Sequence, residues 1–186
     1  MIALTLSDIA KYFFKGKIAP DGVAVDFTMG NGYDTLFLCS LVPEGKVYAF
    51  DIQKDAIAST EKRLAENGVT NATLIHDSHA EVKKYVTSPI NAAMFNLGYL
   101  PGGDKSVHTM TDSTLKAVSD ALDLLAIGGV MTVSVYPGHD EGTREGNALT
   151  DMLSRVDRHD FSILQCKMLN SPTSPFIIAI ERNKKG

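Results

Sequence analysis

The chain has no tryptophan, only two cysteines and no apolar run near the roughly 18 residues that a membrane-spanning helix needs. No membrane partner is therefore expected. Cys39 and Cys166 stand in no metal-ligand spacing, so they are read as two reduced, buried thiols and no metal is expected. The stretch from Met1 to Lys17 interrupts its apolar residues with Asp8, Lys11 and Lys15 and lacks the unbroken core of a secretory signal, which predicts a cytoplasmic protein. A net charge of -4 argues against a broad, sequence-blind grip on polyanions. It leaves room for local basic patches at Lys11, Lys15 and Lys17, at Lys83-Lys84, and at Arg182, Lys184 and Lys185. There is no internal repeat, low-complexity tract or Pro/Ser-rich linker. The 186 residues are thus expected to form one domain, 1–186, with 1–20 as an N-terminal helical extension.

What is present is an alternation of strand and helix signals from Val23 nearly to the end, the pattern of a parallel sheet. After a first helix over Leu4 to Phe14, strands are predicted at Val23–Phe27, Lys46–Asp51, Ala72–Ile75, Ile90–Phe95 and Val130–Val135. Helices are predicted at Asp34–Leu41, Lys54–Asn67, about Glu81–Val86 and Ser113–Leu125, with one more ending near Val156. Gly68 is expected to cap the helix Lys54–Asn67, and Gly128-Gly129 to turn the chain from helix into strand. Two closing strands, Phe161–Met168 and Phe176–Glu181, have no helix between them and are most simply an antiparallel hairpin. Five β/α units and a terminal hairpin predict an α/β, Rossmann-like class I methyltransferase fold. Its seven-stranded sheet would be mostly parallel, with one antiparallel strand and helices on both faces.

The segment from Val25 to Gly32, VDFTMGNG, stands where the first strand gives way to a helix, so Gly30, Asn31 and Gly32 are candidates to cradle a ligand on their backbone. Asp51 ends the next strand about twenty residues on, where a carboxylate can accept both hydroxyls of a ribose. Ile52 and Gln53 follow it and, with Thr35 and Asn96, are further candidate cofactor-binding residues. A dinucleotide site would carry its third glycine where Thr35 stands, and its pyrophosphate would need a helix start without negative charge. Asp34 occupies that start, which disfavours NAD and suits a ligand with an ammonium and a sulfonium, S-adenosylmethionine (SAM). Asp26 could hold the amino group of that cofactor. Asp77 and Ser78 follow the third strand, where they could read the adenine, and His79 could stack on it.

The fourth strand ends in Asn96-Leu97-Gly98-Tyr99-Leu100-Pro101, which resembles the Asn-Pro-Pro-Tyr element of amino-methyltransferases. In those enzymes the Asn oxygen accepts from the target amine and the Tyr stacks on the base. The set DFTMGNGYDT (26–35), AFDIQ (49–53), NLGYLPGGDK (96–105) and YPGHDEG (136–142) resembles the small bacterial proteins known as putative rRNA methylases. That resemblance implies methylation of the 5-aminomethyl group of tRNA wobble uridine, to 5-methylaminomethyl-(2-thio)uridine. Asn96, Tyr99 and His139 would be the catalytic residues. Tyr99, Lys105, Tyr136, His139, Glu141 and Arg144 would meet the substrate, the anticodon stem-loop of a tRNA. Other readings are an rRNA or small-molecule amine as acceptor, an NAD-dependent oxidoreductase and an inactive SAM-binding module. A homodimer is compatible with the sequence.

Overall fold

The computed structural model describes residues 5–100, 102–103, 107–138, 140–171 and 173–184. Seven strands form one sheet: β1 (Val23–Asp26), β2 (Lys46–Asp51), β3 (Ala72–His76), β4 (Ile90–Asn96), β5 (Leu125–Val135), β6 (Phe161–Cys166) and β7 (Phe176–Arg182). Their spatial order is β3-β2-β1-β4-β5-β7-β6. The first five run parallel, and β7 is antiparallel to both β5 and β6. The predicted class I sheet and its closing hairpin are both present. The order reverses between β1 and β4, so the ends of these two strands open a crevice where an α/β sheet takes its ligand.

Among the described residues six α-helices accompany it: α1 (Leu6–Tyr12), α2 (Tyr33–Leu41), α3 (Lys54–Glu66), α4 (Val82–Tyr85), α5 (Thr111–Leu124) and α6 (Asp140–Ser154). Because side chains alternate along a strand, the central strands feed two cores. Val25, Ala93, Phe95, Met131 and Val133 face one core, which Val118, Ala121, Leu149 and Leu153 of α5 and α6 complete. Ala24, Ala92, Met94 and Val130 face the other, closed by Ala10 of α1, Leu38 of α2 and Leu64 of α3. This two-sided burial explains why β1 and β4 read as continuous apolar runs.

Local chemistry sets the ends of several elements. Thr5 and Asp8 form a capping box at the start of α1, and Gly68, at φ +65°, follows α3 as predicted. The strand predicted from Val130 begins five residues earlier. Gly128 takes φ +76° and the register against β4 shifts between Ile90 and Ala92, so the two glycines make a bulge inside β5 rather than a turn before it. A Cβ on Gly129 would lie 2.6 Å from the Ile90 carbonyl oxygen, which accounts for the second glycine.

Candidate active site

The β1–α2 turn is built around a carboxylate of the neighbouring strand. Asp51 accepts from the Gly30 N–H on Oδ2 (3.1 Å) and from the Gln53 N–H on Oδ1 (3.0 Å), so one side chain ties the glycine turn to the end of β2. Gly30 and Gly32 carry φ of +49° and +78°, and Gly32 is the N-cap of α2. The turn is held from the other side by α3. Thr60 donates to the Gly30 carbonyl (3.1 Å), and the Arg63 Nε donates to that of Asn31 (2.6 Å). Above this turn and the end of β4 lies a cavity of about 880 Å³, at the roomy end of the range for small-molecule sites.

Gly30, Asn31, Asp34, Asp51, Ile52, Gln53, Ser78, His79, Asn96, Tyr99 and Tyr136 all line the cavity, so most of the residues singled out in the sequence converge there. Asp51 is pushed above the usual carboxylate range by burial, while its backbone hydrogen bonds pull the other way. Among the described residues its oxygens accept from backbone N–H groups, one of the glycine turn and one just after β2, so lone pairs remain for ligand hydroxyls. Exposed Ile52 offers an apolar face beside it. A glycine turn, a carboxylate at the end of β2 and an anionic start to α2 fit SAM and oppose a pyrophosphate.

Other expected contacts go elsewhere. Asp26 is fully buried and does not line the cavity: Oδ2 accepts from the Thr35 hydroxyl (2.6 Å) and Oδ1 from the Thr28 N–H (3.1 Å). Thr35 is therefore a partner of Asp26 inside the fold. Asp77 closes its own turn, accepting from the Ser78 N–H (2.7 Å) and from the Tyr85 hydroxyl (2.7 Å). Glu141 accepts from the Thr111 hydroxyl (2.9 Å) and N–H (3.3 Å) at the start of α5 and pairs with Arg144 at 3.2 Å. These bonds hold Glu141 below its usual range and make it a poor base. Lys105 and His139 lie outside the described residues.

The end of β4 is tied to its neighbours by two hydrogen bonds of Asn96. The Asn96 N–H donates to Thr28 Oγ1 (2.9 Å), and Asn96 Nδ2 donates to Asp34 Oδ2 (2.7 Å). Asp34 Oδ1 in turn meets the Lys11 ammonium at 3.2 Å. Tyr136 is raised above its usual range by burial and by the nearby Asp34 charge. Tyr99, 42% exposed, pairs with His108 in a one-bridge ribbon on the loop after β4.

Three contributors escaped the sequence reading. Lys11 reaches the site only because α1 packs beside α2, a tertiary fact. His108 carries no local motif. Glu145 accepts from the hydroxyls of Thr109 (2.9 Å) and Thr114 (2.5 Å), while Thr109 also accepts from the Gly98 N–H (2.8 Å), so a carboxylate of α6 anchors the loop that carries Tyr99. Glu145 had a signal: it is a charge in the buried stripe Gly142, Glu145, Gly146, Leu149 and Leu153.

His79 is pushed down to about 4 by burial, although a hydrogen bond to the Phe27 carbonyl opposes this. It is therefore neutral at neutral pH, packed 4.8 Å from the Phe95 ring with Nε2 3.2 Å from Ser113 Oγ. Asp26 is raised to about 7, first by burial and then by the Asp34 charge. A carboxyl raised in the folded state stabilises fully below its unfolded value near 3.8, and that contribution is lost as pH climbs through about 7. Asp26→Asn keeps an acceptor for the Thr28 N–H and removes the ionisation. In urea unfolding, wild type should lose on the order of 2 kcal/mol relative to the variant between pH 5 and pH 8. Parallel pH curves for the two proteins would mean that Asp26 stays ionised in the fold.

The sheet order, the tethered glycine turn and the Asn96 strand end together define a class I SAM-dependent methyltransferase. The family profile described as "Putative rRNA methylase" matches residues 47–181, and the chain belongs to this family. It is 34% identical over 184 residues to the chloroplastic tRNA (mnm(5)s(2)U34)-methyltransferase of Arabidopsis thaliana, covering 92% of this chain and 67% of that protein. Among solved structures it resembles a putative rRNA-methylase from Clostridium thermocellum, with TM-score 0.91 and 39% identity over 98% of this chain and 99% of that one. A putative methyltransferase from Streptococcus mutans, solved in complex with SAH, matches with TM-score 0.89 and 39% identity, again over 98% and 99% of the two chains.

Proposed function

We propose that the protein transfers a methyl group from SAM to the 5-aminomethyl nitrogen of a tRNA wobble uridine. The observation that carries this reading is Asn96 at the end of β4, its backbone N–H held by Thr28 and its side-chain amide by Asp34, lining the same cavity as the exposed Tyr99. The plant relative named for the same modified nucleotide supports the choice of acceptor. When bound, SAM supplies an electrophilic methyl on a sulfonium. Gly30, Asn31 and Gly32 would support its methionine end, Asp51 its ribose, and Ile52, Gln53, Ser78 and His79 its adenine.

An alkylamine with a pKa near roughly 10 arrives protonated and must lose a proton before its lone pair can attack. Asn96 Oδ1 accepts an N–H of the neutral amine and so aims that lone pair, while Tyr99 stacks on the pyrimidine. A nitrogen–carbon bond forms, the carbon–sulfur bond breaks, and the amine proton passes to water. Mass spectrometry of tRNA nucleosides from a strain lacking the gene tests the assignment: the unmethylated aminomethyl uridine should accumulate. Labelled methyl appearing only in rRNA or in small amines would replace the acceptor and leave the enzyme class standing.

The cofactor half has its own test. Asp51→Ala should weaken SAM binding at least tenfold by calorimetry, since hydrogen bonds to a charged group contribute about 1.5 to 3 kcal/mol. Unchanged affinity would remove the ribose role. RNA recognition should be local, because the net charge is -4. Binding of an anticodon stem-loop is expected to show a log-log salt slope of magnitude about 2 to 4, whereas a slope near 8 would mean an extended basic surface.

A further inference from the structure

The Asn96 amide can take either of two orientations, related by a half-turn, and only one presents oxygen to a substrate amine. Nδ2 lies 2.7 Å from Asp34 Oδ2. A carboxylate accepts and cannot donate, so the reverse orientation would set two oxygens against each other. Asp34 thereby selects which atom of Asn96 is left for the cavity. Nothing among the described residues donates to Oδ1, and the side chain lines the cavity wall. The second Asp34 oxygen is held at 3.2 Å by Lys11, whose ammonium also stands 5.1 Å from the Phe37 ring, so the carboxylate is clamped from α1. Asp34 sits in the first turn of α2, where the helix N-terminus further favours its negative charge.

We propose that Asp34 is a positioning residue: held by Lys11, it locks the Asn96 amide with Oδ1 toward the incoming amine. This deepens the reading of Asn96 as the amine acceptor and rests on it. It also adds to the sequence-based expectation that the negative charge of Asp34 suits a cofactor with an ammonium and a sulfonium. The two roles demand different things of the side chain. Orientation needs an acceptor opposite Nδ2, which an asparagine at position 34 still offers through its own amide oxygen. Attraction of a cation needs the charge, which asparagine lacks.

The test combines Asp34→Asn, Asp34→Ala, Asn96→Ala and the double alanine variant. Each is assayed for kcat with aminomethyl-bearing tRNA and, separately, for SAM affinity by calorimetry. Asp34→Ala should lower kcat at least tenfold while SAM affinity moves less than threefold, and Asp34→Asn should recover most of that loss. The double variant should be no slower than Asn96→Ala alone, because the lock has no purpose once its amide is gone. Additive losses would overturn the proposal, and so would SAM affinity falling tenfold in both Asp34 variants. A readout without turnover separates this from the acceptor assignment. Hydrogen exchange of the Asn96 side-chain amide, followed by NMR in the SAM-free protein, should be protected in wild type and in Asp34→Asn and should speed up in Asp34→Ala. Equal exchange in all three proteins would sink the lock even if tRNA methylation is confirmed. Protection lost only in Asp34→Ala would sustain the lock even if tRNA proved to be the wrong acceptor.

Discussion

Replacing Asn96 by alanine should cut turnover by about 10² or more while SAM affinity stays nearly unchanged. The magnitude is that of losing one preorganised polar group at a reacting centre. The split between turnover and affinity follows from placement: Asn96 closes β4 opposite Asp34, whereas the glycine turn and the carboxylate proposed to hold the methionine end and the ribose follow β1 and close β2. Steady-state kinetics with saturating SAM, alongside calorimetry on the same variant, would show it. If turnover instead survives, the amine is oriented by another acceptor, and the strand end is only a wall of the pocket. A second variant, with both cysteines replaced, separates nitrogen from carbon methylation. A ring carbon is a poor nucleophile and commonly needs a cysteine to attack the base, while a neutral exocyclic amine needs no such help. Neither cysteine is placed for that role. Cys39 is buried on α2, with its thiol pushed up to about 11 by burial, and Cys166 ends β6 outside the cavity lining. A folded protein with both cysteines changed to serine should therefore keep nearly full activity, and a trapped protein–RNA adduct would defeat this chemistry.

The parts of the site legible in the sequence are those in which one residue's role depends on its immediate neighbours in the chain. The glycine turn, the carboxylate closing β2 and the Asn at the end of β4 each sit where strand meets loop, and strand ends are readable from apolar runs. Misplacements arose where two distant segments decide. Asp26 and Asp34 stand at either side of one turn and look equally available in sequence. The fold buries the first against Thr35 and leaves the second at the cavity. Glu141 belongs to a segment read as a substrate loop and Arg144 follows it closely, but both lie near the start of α6. There Glu141 serves the start of α5, thirty residues back in the chain. The bulge at Gly128 was read as a turn because a positive φ suits both, and only pairing with β4 distinguishes them.

Gly32→Ala should be far more damaging than Gly30→Ala, although both glycines belong to the same motif and both have positive φ. At Gly30 a Cβ would meet nothing closer than the Leu100 side chain at 3.5 Å, so the cost is that of a left-handed backbone alone, about 1 to 2 kcal/mol. At Gly32 a Cβ would lie 2.9 Å from Thr60 Cα as well as from its hydroxyl, and Cα cannot rotate away. The same φ strain is then joined by a collision that forces α3 to shift or the turn to open. Roughly 3 kcal/mol or more is expected, within the range for overpacking a well-packed contact in addition to backbone strain. Function should follow, because Thr60 also donates to the Gly30 carbonyl and Gly30 donates to Asp51. Displacing α3 thus disturbs Asp51, the carboxylate proposed for the ribose, through two hydrogen bonds. SAM affinity should fall by about 30-fold or more in Gly32→Ala and by less than fivefold in Gly30→Ala, with thermal unfolding of the SAM-free proteins showing the same ranking. Truncating Thr60 to alanine should restore little to Gly32→Ala, since the colliding Cα remains. Equal losses in the two glycine variants would mean that φ strain governs this turn and that the contact between α3 and Gly32 yields.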